Sequence, residues 1–173
     1  AIPLSGPRNG RMQLESDLVG LRAALPPPLG KSASERLPLR LEVSGDATVP
    51  LRITGEIPGR LGLALRFTRP APGGPTSLRG IALHLGEGAP PAPPSEEGLS
   101  ITGNFDTLAP SDWRSVIAAI QGDSADGAPS AQSLPFLGAD LSAKRLRFAE
   151  FDAPDVRVQA RREHGGYVAT LQG

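Results

Sequence analysis

The chain has no cysteine, which excludes disulfides and thiolate metal sites. It also lacks an excess of charge of either sign, because 18 basic residues balance 18 acidic ones. Strong electrostatic capture of nucleic acid or of an anionic membrane surface is therefore not expected. No apolar run approaches the roughly 20 residues of a membrane-spanning helix, and no signal-peptide pattern opens the sequence.

Aromatic residues are also scarce, with five Phe, one Tyr and one Trp in 173 residues. A chain of this length is one domain, or one slice of a larger one, and can bury a core. A tightly packed two-layer sandwich commonly recruits more aromatics into that core. The composition therefore leaves room for a sheet that is not closed by a second layer.

The sequence offers no arrangement of residues typical of catalysis. His84 and His164 lie on separate predicted elements and lack the spacing of a paired metal site. His84 occupies an even position in the alternating strand 81–85, which predicts that its side chain faces solvent. No G-x-S-x-G turn is present, and Glu96–Glu97 lies in a Pro-rich loop. We therefore expect no enzyme activity, no catalytic residue, no metal and no cofactor.

Apolar and polar residues alternate with a period of two along most of the chain. This pattern predicts strands with one apolar and one polar face, and the short loops between them predict an antiparallel meander of about nine strands. The apolar members are Leu37, Leu39, Leu41 and Val43, then Leu51, Ile53 and Ile57, then Leu61, Leu63, Leu65 and Phe67, then Ile81, Leu83 and Leu85, and later Val156, Val158 and Ala160.

Clusters of Pro, Gly and small polar residues divide the chain, and Pro70–Pro75 is one such loop signal. The predicted parts of this single slice are a first strand meander (1–88), a Pro-rich loop (89–98), a strand with a short helix (99–122), a polar loop (123–134) and C-terminal strands (135–173).

One segment, 109–121, has the period of a helix instead. Its apolar residues Trp113, Val116, Ile117 and Ile120 fall at i, i+3, i+4 and i+7. Pro110 suits the first turn and Gly122 the end. Such a short helix must dock to persist. Either Trp113 plugs an ordinary core, or the helix lies over the apolar face of the sheet as a lid.

The stretch from Ser16 to Val43 carries the most distinctive motifs. It contains S-D-L-x-G-L, then L-P-x-P-L-x-K, then P-L-x-L, and it predicts a strand at 18–25, a Pro bend, a Gly30–Lys31 turn and a strand at 37–43. This order resembles a segment of the YhdP-type AsmA-like proteins (AsmA/TamB clan). The strand-then-helix stretch from Leu99 to Trp113 and the paired strands at 137–173 are similar to elements of the same clan.

The resemblance implies a mainly β fold: a twisted antiparallel meander bent into an open trough with one short α-helix. In this family such grooves are thought to shield phospholipid acyl chains between inner and outer membrane, in the periplasmic part of a protein anchored in the inner membrane. The implied partners are phospholipid acyl chains and neighbouring repeats of the same polypeptide. The predicted lipid-facing residues are Leu37, Leu39, Leu41, Val43, Leu51, Ile53, Ile57, Leu61, Leu63, Leu65, Phe67, Ile81, Leu83, Leu85, Ile101 and Phe105.

Alternatives remain open at this point. The same aliphatic residues would form the dry core of an ordinary β-sandwich that serves a structural or protein-binding role. Lys31 could touch a lipid phosphate or be a solvated turn lysine. An open edge strand would also allow the fragment to associate with itself.

Overall fold

The computed structural model describes residues 10–45, 50–68, 76–114, 134–163 and 166–173, and its strands form a single nine-stranded sheet. In chain order the strands are β1 (Gly10–Ser16), β2 (Leu39–Gly45), β3 (Arg52–Ile57), β4 (Leu61–Thr68), β5 (Ser77–Leu85), β6 (Gly98–Leu108), β7 (Phe136–Phe148), β8 (Phe151–Glu163) and β9 (Gly166–Gln172). Among these residues, no helix has the length and apolarity needed to cross a bilayer.

The order of strands across the sheet equals their order in the chain, from β1 at one edge to β9 at the other. The described strands therefore form one open layer, because β1 and β9 do not pair to close it. This confirms the predicted mainly β, trough-like meander. The segments in which apolar and polar residues alternate form strands β2 to β5 and β8. Such alternation places apolar side chains on one face of the sheet and polar side chains on the other.

Two of the strand pairs differ from the predicted antiparallel arrangement. β5–β6 and β6–β7 are parallel, while the other neighbouring pairs are antiparallel. A parallel pair needs a crossover of about a dozen residues or more, because the chain must return to the same end of the sheet. The connections 86–97 and 109–135 are long enough for this.

The first predicted strand, 18–25, is wrong. The edge strand is β1, and residues 17–38 form a long connection in which only Ala23 and Lys31 make a β-bridge. Leu18 and Gly20 have positive φ, and three consecutive prolines from Pro26 supply no backbone N–H to a ladder. We call residues 17–38 the N-terminal loop.

A small core lies near one end of the sheet. Its buried members are Leu85, Phe105, Leu108, Ala143, Leu146 and Val156. Leu29 of the N-terminal loop and Trp113 pack against this cluster. Residues 110–114 are helical, as predicted, but Val116, Ile117, Ile120, His164, the predicted loop at 70–75 and residues 123–133 of the predicted polar loop (123–134) lie outside the described residues.

Candidate functional site

The strand registers align apolar residues into rows that cross the sheet. A middle row reaches all nine strands, and shorter rows lie on either side of it on the same face. The middle row is Leu14, Leu41, Gly55, Leu63, Leu83, Ile101, Ala139, Ala160 and Ala169. One flanking row is Met12, Val43, Ile53, Leu65, Ile81, Leu99 and Phe136, and the other is Ile57, Leu61, Leu85, Gly103, Leu141, Val158 and Leu171.

These three rows are called the apolar face below. Neighbouring strands lie about 4.8 Å apart, so the middle row is a track of about 38 Å perpendicular to the strands. Its members are apolar side chains and glycine, without a titratable group. The track can therefore bind by the hydrophobic effect, but its own side chains supply no acid, base or nucleophile.

Most of the predicted lipid-facing residues lie on this one face. The registers bring Leu41, Val43, Ile53, Ile57, Leu61, Leu63, Leu65, Ile81, Leu83, Leu85 and Ile101 into the three rows. Leu39 extends the same face at the start of β2, and Phe105 does so two residues beyond Gly103. That these residues contact lipid stays a prediction.

Three predicted residues are placed differently. Leu37 is buried before β2 begins, where its backbone N–H donates to the Asp17 carbonyl, so it lies outside the rows. Leu51 precedes β3, and its carbonyl accepts from the Phe67 N–H. Phe67 follows a bulge and lies opposite Leu78.

Sequence reasoning missed the contributions of β1, β7 and β9 to this face, and although it recognised the alternation of Val156, Val158 and Ala160 in β8, it did not count them as lipid-facing. Met12 and Leu14 alternate with charged and amide residues, a signal that was available, but their strand was placed after residue 17 instead. On β7 and β9 the middle row is formed by alanines. Alanine is small and occurs on both faces of a sheet, so it does not mark the apolar face in the sequence. Their role emerges only from the register Ala139↔Ala160↔Ala169.

The apolar face is only partly covered by the described residues. Leu63, Leu65, Ile81 and Leu83, in the middle of the sheet, are only half-buried. At the two edges Leu14 is 51% exposed and Leu171 58% exposed. Within the described residues no second sheet covers this face, so they do not form the β-sandwich that the sequence left open.

The opposite, polar face is covered over β4 and β5. Ala64 and Ala82 face each other across β4 and β5 and are 0% and 2% exposed. The Pro-rich connection 89–97, called the strap below, crosses over them. A Cβ on Gly62 would lie 2.9 Å from Pro90 Cα, and one on Gly80 would lie 2.8 Å from Pro94 Cγ. Glycine is therefore required at both positions for the strap to approach so closely.

Arginines fasten the strap to the sheet. Arg66 Nε donates to the Pro94 carbonyl at 2.9 Å, and its Nη2 donates to the carbonyls of Ser95 at 3.1 Å and Glu96 at 2.8 Å. Arg79 Nη1 adds an ion pair with Glu97 at 2.7 Å. The strap is thus a fixed second layer on the polar side.

The remaining polar face carries cross-strand ion pairs. Arg11 pairs with Glu42, and Arg40 lies 3.4 Å from Glu56. The hydrogen bond from Arg157 holds the pKa of Asp140 below its usual value, with a smaller contribution from Gln159. The hydrogen bond with Asp106 raises the pKa of Lys144. Charge is thereby concentrated on the side away from the apolar rows.

His84 lies on the polar face, but it does not project freely into solvent as predicted. Its Nδ1 lies 2.8 Å from Thr102 Oγ1 and its Nε2 lies 2.9 Å from the Glu87 carbonyl. Asn104 Nδ2 donates to the same carbonyl at 3.0 Å. These contacts fix the turn that leads from β5 into the strap, which is a structural role.

Lys31 corresponds to neither of its two predicted roles. It is 8% exposed, and its ammonium group donates to the carbonyls of Leu21 at 2.9 Å and Ser32 at 2.8 Å. A buried cation persists only with such partners. Lys31 therefore stabilises the N-terminal loop and is withdrawn from any surface ligand.

Among the described residues, the apolar face is covered beside Phe105. Phe105 and Trp113 meet edge to face with ring centroids 6.4 Å apart, and Leu29 reaches the same cluster from the N-terminal loop. Arg60 holds that loop by donating to the Gly30 carbonyl at 2.9 Å. The cover lies beside Leu85, whereas Leu63 and Leu65 of β4 are only half-buried.

Comparison with known proteins gives one match. The family model described as "YhdP protein" matches residues 2–173. Neither a curated protein nor a solved structure matches the chain.

Proposed function

The chain belongs to the YhdP family, and from this membership, which links it to lipid transport, we propose that its sheet is a segment of a hydrophobic groove. The groove shields phospholipid acyl chains and conducts them between the inner and outer membranes. In this proposal the chain is a periplasmic part of a protein anchored in the inner membrane.

The observation that carries the proposal is the contrast between the two faces. On the polar face the strap buries Ala64 completely, whereas Leu63 and Leu83 on the opposite, aliphatic face are only half-buried. A continuous uncovered apolar face in water is unfavourable unless it has an occupant. Each methylene of an acyl chain that it buries contributes about 0.8 kcal/mol, so a partly buried chain is already held firmly.

Movement along the track needs no chemistry. The middle row offers an acyl chain no hydrogen-bond donor and no charge, so no polar contact has to break when the chain slides from one strand to the next. No covalent bond is made or broken, and the proposed role is therefore not enzymatic and uses no cofactor or metal.

The edges of the sheet supply the proposed protein partners. β1 and β9 each present one side without a neighbouring strand among the described residues, and their apolar side chains continue the rows to the edge. An edge strand pairs readily with another strand. Neighbouring repeats of the same polypeptide would extend the track, and an isolated chain would tend to associate with itself.

Lipid capture by adjacent edge residues tests the proposal. Leu171 is on the apolar face and Thr170, next to it, is on the polar face, and both are exposed. The protein and its Leu171→Asp and Thr170→Asp variants would be incubated with vesicles that contain a fluorescent phospholipid, and protein-bound lipid would be measured after the vesicles are removed.

We expect the parent and Thr170→Asp to capture lipid equally, and Leu171→Asp to capture about threefold to tenfold less, because a carboxylate on the track must be desolvated. No capture by the parent, or equal losses in the two variants, would refute the proposal.

A further inference from the structure

The end of β8 brings a charged side chain onto the apolar face. Val158 and Ala160 belong to the apolar rows, and the period of two continues to Arg162. Arg162 lies directly opposite Tyr167 of β9, which precedes Ala169 and Leu171 on the same face. Arg162 is exposed and stands at the rim of the apolar face.

Two aromatic rings flank this position. Phe136 of β7 and Tyr167 of β9 have ring centroids 5.5 Å apart, although β8 separates their strands. The rings can meet only by reaching over the backbone of β8 on one side of the sheet. Tyr167 alternates in step with Ala169 and Leu171 in the regular β8–β9 pairing, so that side is the apolar face.

The charge of Arg162 is available to a ligand from outside. No ion pair between described residues includes Arg162, whereas Arg40 and Arg157 on the polar face are each paired with a carboxylate. Its neighbour Arg161 points to the opposite face, where it contributes to the field that lowers the pKa of Asp140.

We propose that Arg162 binds the phosphate of a phospholipid headgroup whose acyl chains lie on the apolar face. The inference rests on the proposed function and adds where the headgroup is held: the phosphodiester lies beside Arg162 at the end of β8. A guanidinium presents paired N–H donors that match two phosphate oxygens. Tyr167 supplies an amphipathic ring and Phe136 an apolar one, a pair that suits the boundary between acyl chain and water.

Matched lipids and matched variants test this site. The probes are phosphatidylglycerol and a diacylglycerol with the same acyl chains, each offered in vesicles, with inorganic phosphate as a competitor. The variants are Arg162→Gln and Arg162→Lys, with Arg161→Gln as the control for an exposed charge lost from the other face of the same strand. Thermal unfolding of each variant checks that the sheet is intact.

We expect Arg162→Gln to weaken capture of phosphatidylglycerol about tenfold, the size of losing a charged hydrogen-bonded pair, and to leave diacylglycerol capture unchanged. Arg162→Lys should recover part of the loss, Arg161→Gln should resemble the parent, and free phosphate should not compete. Equal effects of Arg162→Gln and Arg161→Gln, or equal losses for both lipids, would overturn the headgroup site alone. If the parent captures neither lipid, the proposed function fails with it.

Discussion

Leu63 and Ala64 are consecutive residues of β4, yet the alanine on the polar face is completely buried while the leucine on the apolar face is only half-buried. In most sheets with two different faces the apolar face packs on the core and the polar face is solvated. Here the strap reverses that order. The strap thus buries part of the polar face, while the apolar face on the other side is left partly exposed.

The strap depends on Arg66, so Arg66→Gln should loosen it. The substitution removes three hydrogen bonds to strap carbonyls, and we expect the free energy of unfolding to fall by about 1–2 kcal/mol. A Glu-specific protease should then cut faster after Glu96 and Glu97. The control is Arg52→Gln, since Arg52 lies opposite Arg66 in the register but is exposed. Equal cleavage rates in the two variants would show that Arg66 does not hold the strap.

Close approach of the strap also requires Gly80. In Gly80→Ala the new Cβ would lie 2.8 Å from Pro94 Cγ, and the strap must shift to admit it. We expect a loss of about 1–3 kcal/mol in urea unfolding, as for other overpacked sites. Gly166→Ala is the matched control, because its nearest atom would be the Glu163 carbonyl oxygen at 3.8 Å. A neutral Gly80→Ala would contradict the placement of the strap.

Truncations should separate the covered part of the apolar face from the open part. Phe105 is 8% exposed and contacts Trp113, so Phe105→Ala should cost about 3–5 kcal/mol. Leu63→Ala removes a half-buried side chain and encloses no cavity, so we expect about 1–2 kcal/mol. Chemical denaturation measures both values, and emission from the single tryptophan should shift to the red in Phe105→Ala. A larger loss for Leu63→Ala would mean that the open face is a closed core.

The ion pair of Asp140 predicts a dependence of stability on pH. Its pKa is lower in the folded protein than the ordinary value of 3.8, chiefly through Arg157. The pair therefore stabilises the fold above the unfolded pKa, and this contribution is lost as pH falls through the folded pKa. Asp140→Asn should be slightly less stable than the parent at neutral pH, and the difference in urea midpoint should shrink below pH 3.8. If the difference in urea midpoint between the parent and Asp140→Asn grew as the pH fell, the ion pair would not be the source of the stabilisation.

Much of the sheet could be predicted from period two alone. The alternation from Leu39 to Leu85 specified four adjacent strands and the face shared by Leu41, Leu63 and Leu83. A register shift of one residue would move the apolar side chains of a strand to the polar face, so the alternation fixes the register. The parallel pairs around β6 were missed because strand periodicity carries no information about direction. Only the length of the connections 86–97 and 109–135 allowed a crossover.

The covered polar face was missed for a different reason. Gly62, Ala64, Gly80 and Ala82 are small residues at polar positions of two adjacent strands, and they admit the strap. A Pro-rich segment signals a loop, but its docking depends on long-range contacts such as those of Arg66. The burial of Lys31 likewise depends on carbonyls supplied by the folded N-terminal loop, which no local pattern reveals.

Photocrosslinking on two consecutive residues of β2 tests the central claim most directly. Leu41 belongs to the middle apolar row, and Arg40 has a side chain 63% exposed on the polar face. A benzophenone amino acid would be placed at either position, and the protein would be irradiated with vesicles of phosphatidylethanolamine and phosphatidylglycerol. The account predicts phospholipid adducts at Leu41 and none at Arg40. Adducts at neither position, or equally at both, would contradict a lipid-binding apolar face.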